Sequence, residues 1–131
     1  VKVLALDYGS ARTGVAVSDP SGVIARPLTV VERVGTKPGV ERLLALIAEE
    51  QPEQIVVGLP LTLRGEHGKQ ARETEAFAQR LRENVAVPVE LFDERLTTVL
   101  AARTPSEAPE DARAAAHLLE SFLTWLTSRE N

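Results

Sequence analysis

The chain has 131 residues, 44% hydrophobic and 26% charged, which is enough apolar content to bury a core and argues against intrinsic disorder. With 15 basic against 19 acidic residues, the net charge of -4 argues against a protein that coats nucleic acid by bulk electrostatics, while leaving room for a local basic surface. There is no run of about 18 apolar residues, no signal-type leader and no cysteine, so neither a membrane span nor a thiolate site is expected, and the cytoplasm is the default compartment.

Val1 to Leu6 is nearly continuously apolar, the pattern of a central strand covered on both faces, with Lys2 at its exposed start. Asp7-Tyr8-Gly9-Ser10 turns the chain into a second strand, Gly14 to Ser18. The turn Asp19-Pro20-Ser21-Gly22 leads to a third, Val23 to Val31. Connections this short hold no helical crossover, which predicts an antiparallel meander. From Val40 the period changes: Val40, Leu43, Leu44 and Ile47 share one helical face, and the helix ends before Gln51-Pro52.

A buried strand, Ile55 to Val57, follows and stops at Gly58-Leu59-Pro60. Leu61 to Lys69, with Arg64, Gly65, His67, Gly68 and Lys69, reads as a basic, glycine-containing loop. Thr74, Phe77, Ala78 and Leu81 mark a second helix, and Val87 to Phe92 a fifth strand. A short helix over Thr97 to Ala102 and a loop from Arg103 to Glu110 precede a long helix. That helix is marked by the stripe Ala112, Ala115, Ala116, Leu119, Phe122, Leu123 and Leu126, with Pro109 at its first position. This order predicts an α/β fold with a five-stranded mixed sheet and helices on both faces, a ribonuclease H-like architecture, in one domain over 1–131.

Asp7 ends the buried first strand, where a carboxylate is costly unless a cation or a hydrogen-bond network compensates. It reads either as a metal ligand or as a structural carboxylate in an Asx turn. The small residues of Gly9-Ser10-Ala11-Arg12-Thr13-Gly14 would let a substrate backbone approach. Asp93 and Glu94 follow the fifth strand, where ligands of open α/β sheets gather, and strand alternation lets one of the two reach the centre. Glu94 is favoured, with Asp93 and Arg95 orienting it or the loop. Asp111 suits the first turn of the last helix through its dipole and also borders the buried stripe. His67 and His117 lie in different segments without ligand spacing. Donors of oxygen alone suit Mg²⁺ or Mn²⁺, and such sites commonly cut phosphodiesters. Phe77 and Trp125 read as packing residues, and Tyr8 either stacks on a base or packs.

DYGSARTGVAVSD, VVGLP with its downstream G..G, DERLTT and D.RAAAHLLESFL resemble the four signature blocks of the YqgF family, also called RuvX, the Holliday junction resolvase-like proteins. The resemblance spans nearly the whole chain. It implies a ribonuclease H-like fold, shared ancestry with RuvC resolvases, and nucleolytic maturation of the 5′ end of pre-16S ribosomal RNA in the bacterial cytoplasm. By motif it implies that Asp7, Glu94 and Asp111 are catalytic and hold Mg²⁺ or Mn²⁺. Tyr8, Gly9, Arg12, Arg64, Lys69 and Arg95 are the expected substrate-binding residues, with Arg12 and Arg95 on phosphate and the Arg64 to Lys69 loop steering the strand.

Two departures stand out: VLAARTPSEAPE is shorter than usual and lacks lysines, and Ala114 and Ala115 stand where RuvC-type enzymes carry a further acid. The expected partner is nucleic acid, pre-rRNA or also DNA, without a membrane, acting as a monomer or weak homodimer. The alternatives are a four-way DNA junction resolvase, a non-catalytic module that binds nucleic acid or ribosome precursors, and, lowest, a nucleotide-binding relative of actin-like ATPases.

Overall fold

In the computed structural model, which describes residues 1–96 and 108–129, the chain forms five strands and three α-helices. In order these are β1 (Val3–Asp7), β2 (Arg12–Ser18), β3 (Ala25–Glu32), α1 (Lys37–Glu50), β4 (Gln54–Leu59), α2 (Lys69–Arg82), β5 (Val89–Asp93) and α3 (Glu110–Arg129), with a single 3-10 turn, Glu94–Leu96, after β5. The sheet order is β3-β2-β1-β4-β5. β1, β2 and β3 pair antiparallel, whereas β4 runs parallel to β1 and β5 parallel to β4. The expected mixed sheet is present.

Strand alternation divides the core into two layers. Leu4, Leu6, Val15, Ile55 and Val57 face α1 and α2, meeting Leu43, Ile47, Phe77, Ala78 and Leu81. Val3, Ala5, Ala16, Val56 and Phe92 face α3, meeting Ala115, Leu119 and Phe122. Small residues on that side let the helix lie close, and Trp125 closes the layer against Phe92 and Phe122.

Several boundaries differ from expectation for local reasons. β3 begins at Ala25, not Val23, because the Asp19 carboxylate accepts the backbone N–H groups of Val23 and Ile24 and holds both in the turn, exposed. Bonding to Ser21 is the main reason that the Asp19 carboxyl lies far below the usual carboxylate range. The third strand carries Pro27 opposite Ala16, tolerated because β3 is an edge, and the register shifts there. α1 starts at Lys37, capped by the Thr36 hydroxyl accepting from Gly39, and ends at Gln51 in the left-handed region. β5 starts two residues after Val87, since Pro88 cannot donate to the ladder and instead accepts Ile55 N–H at 2.9 Å. α3 starts at Glu110, so Pro109 lies one position before it, with its carbonyl accepting Arg113 N–H.

The short helix expected over Thr97 to Ala102, and residues 103–107 of the loop, lie outside the described residues. Among the described residues no helix is long and apolar enough to cross a membrane.

Candidate functional site

Asp7 shares the parity of Val3 and Ala5, so its carboxylate emerges at the end of the central strand on the α3 face. Its partner across the ladder is Gly14. A Cβ at Gly14 would lie 1.8 Å from the Asp111 carbonyl oxygen, so only glycine lets the first turn of α3 rest on β2. That contact carries Asp111 toward Asp7. In β4, a Cβ at Gly58 would lie 2.7 Å from Glu94 Oε1. Glu94 continues the parity of Phe92 into the 3-10 turn and folds over this glycine, while Asp93 falls on the other side. Two strand glycines thus leave room for Asp111 and Glu94 to approach the end of β1.

The electrostatics show how close two of them are. Asp7 and Glu94 lie near enough for each to shift the other's proton affinity. Burial, then the Asp7 charge and hydrogen bonding to Asp7, push Glu94 up to about 7. Burial also raises Asp7, with the Asp111 charge acting in the same direction and the Glu94 bond opposing it. Asp111 pairs with Arg12, its Oδ2 lying 3.4 Å from Arg12 Nε. As the side chains stand, no group of three or more acids or histidines among the described residues closes around a single point.

Arg95 is paired with Asp93. Its Nε and Nη2 donate to both oxygens of Asp93 at 2.6–3.0 Å, and its backbone N–H donates to Oδ1 at 2.9 Å. These bonds hold the Asp93 carboxyl below its ordinary value. The guanidinium covers Gly65, which has φ +81°, and its Nη1 reaches the Leu63 carbonyl at 3.5 Å. Arg95 therefore ties the loop after β4 to the turn that carries Glu94.

The Tyr8 ring is stacked on Phe77 with centroids 4.5 Å apart. Together with Gly9, Ser10, Lys69, Gln70 and Glu73 it lines an open pocket of about 470 Å³. Arg64 stands exposed in the loop. The expected substrate-binding residues accordingly divide between the Arg12 side, the loop and this pocket. His67 binds Glu75 rather than any of the three acids.

The RuvX family model, described as Holliday junction resolvase, matches residues 1–125. The chain belongs to the RuvX family. A relative from Rhodococcus erythropolis, named "Putative pre-16S rRNA nuclease", is 45% identical over 96% of this chain and 77% of its own length. A relative of the same name from Roseiflexus sp. is 41% identical, covering 93% of each chain. Among solved structures, Thermus thermophilus RuvC superposes with a TM-score of 0.69 at 16% identity, covering 98% of this chain and 97% of that one. At that identity the likeness shows the fold, which is ribonuclease H-like, as expected.

Within this RuvX chain, the spatial role of Gly58 was not read from the sequence. A glycine inside a buried run does signal close approach. What approaches it depends on the β4–β5 register, in which Gly58 pairs with Phe92, two positions before Glu94. Leu63 lies in the basic loop between the polar residues Thr62 and Arg64.

Proposed function

We propose that this chain is a Mg²⁺- or Mn²⁺-dependent nuclease that hydrolyses phosphodiester bonds in the cytoplasm, with the 5′ end of pre-16S ribosomal RNA as its substrate. Membership of the RuvX family and the names of the relatives support nuclease chemistry. The observation that carries the site assignment is that Glu94 folds over Gly58 beside half-buried Asp7 at the end of the central strand, with the Asp111 charge acting on Asp7. Two carboxyls whose proton affinities are raised by burial and mutual repulsion have the property that a divalent cation satisfies. Their oxygen-only chemistry fits a hard cation.

Asp7 and Glu94 would hold that cation, and Asp111 would join when Arg12 exchanges its carboxylate for a substrate phosphate. The bound cation would neutralise charge on the scissile phosphate and activate water for in-line attack. The residues of the chain supply the rest. Arg12 is an exposed guanidinium beside the acids, suited to a bidentate phosphate contact.

The test is cleavage of labelled precursor RNA with Mn²⁺ by the wild type and Asp7→Asn. Loss of at least ~10²-fold in the variant, with an unchanged fold, is expected for removal of a ligand charge. Unchanged cleavage by a preparation free of contaminating nuclease would defeat the assignment. A four-way DNA junction run in parallel addresses the second reading, which the family description supports.

A further inference from the structure

We propose that Leu63 is a wedge, inserting between bases where a paired segment of the substrate opens into the strand delivered to the acids. The inference rests on the nuclease reading above and adds a positioning residue to it. Leu63 is 95% exposed, more than any other large hydrophobic side chain among the described residues. A leucine so placed gains nothing for the fold, and a slack loop would let it collapse onto the surface.

This loop is braced. Gly65 N–H donates to the Thr62 carbonyl at 2.8 Å, Glu66 N–H to the Thr62 hydroxyl at 3.0 Å, and Thr62 N–H to the Glu66 carbonyl at 3.1 Å. Gly65 supplies the positive φ that closes the turn. Arg95, fixed on Asp93, covers Gly65 and reaches the Leu63 carbonyl, so the loop tip and the Glu94 turn share one anchor.

The size of the feature selects its occupant. A protein partner needs roughly 800 Å² of surface on each side, far more than one leucine and its polar neighbours present. Insertion between two bases needs only one apolar side chain, and leucine is among the residues that do this. Arg64, the next residue and also exposed, is placed to meet the phosphate beside an opened step.

The experiment uses the Asp7→Asn protein, which holds substrate uncut, and an RNA hairpin with a 5′ single-stranded tail carrying 2-aminopurine at the last pair. Binding is expected to raise the fluorescence as that base unstacks. Adding Leu63→Ala should abolish the rise and weaken hairpin binding on the order of tenfold, with affinity for an unstructured strand unchanged. Leu63→Phe should restore both. An undiminished fluorescence rise with Leu63→Ala, or an equal loss of affinity for both RNAs, overturns the wedge. If wild type cleaves the RNA yet the parent gives no rise, the wedge alone fails. If the protein neither binds nor cleaves RNA, the nuclease reading fails with it.

Discussion

Glu94 shows how one side chain is set against the stability of its own fold. Its raised proton affinity means that ionising it inside the protein is unfavourable, and Asp7 at its side makes this worse. Glu94→Gln keeps the shape and a hydrogen-bonding group while removing the charge. We expect this variant to melt higher than wild type at about pH 8 without divalent cation, and to lose cleavage. Thermal melts beside a cleavage assay check both halves, and a lower melting temperature would contradict the electrostatic account. That Asp93 and Glu94 fall on different sides was legible in the sequence because alternation is a local rule, whereas favouring Glu94 rested also on the family resemblance. The capture of Arg95 by Asp93 was not, because a free guanidinium and a paired one have the same sequence.

At the scale of elements, two glycines do different work. Gly14 meets backbone, the Asp111 carbonyl, which cannot step aside without moving α3. Gly14→Ala is expected to cost at least ~2 kcal/mol and to impair activity, read by denaturant melts. Gly58 meets side chains, Glu94 Oε1 at 2.7 Å and the buried Leu118 Cδ2 at 3.2 Å, which can give by rotation, so Gly58→Ala should cost the fold less than Gly14→Ala while it displaces the acid. Activity should fall far more than stability, and equal losses would show that Gly58 serves packing alone. The helices and strands were legible from periodicity, and the buried runs of β1 and β4 marked the sheet centre. Strand ends were less so: Asp19 takes two N–H groups from what reads as the start of β3. Asp111 was ambiguous in sequence for a similar reason, since its nearness to Asp7 depends on a contact between α3 and β2 across most of the chain.

For the whole molecule, pH, cation and stability are linked. Glu94 has a folded value of about 7 against an ordinary 4.5, so between those values the folded chain binds more protons than the unfolded one. Stability contributed below 4.5 is therefore lost as pH rises through about 7, and Asp7, shifted in the same direction, adds to the loss. Without divalent cation the melting temperature should fall from about pH 5 to about pH 7.5, to the extent that these two acids dominate. Millimolar Mn²⁺ should restore it more at the upper end than at the lower, because only ionised carboxylates bind the cation. A Mn²⁺ effect independent of pH would place binding elsewhere.

The division of the core by alternating side chains also equips the protein with two native optical reporters. The sequence holds one tyrosine and one tryptophan. Tyr8 is stacked on Phe77 in the α1–α2 layer, and Trp125 packs against Phe92 and Phe122 in the α3 layer. Tryptophan emission thus follows the layer that carries Asp111, while the near-ultraviolet dichroism of tyrosine follows the opposite one. Coincident transitions would mean that the sheet makes the two layers melt as one unit. An earlier tryptophan transition would mean that α3 detaches first, taking its carboxylate out of reach while the sheet still stands.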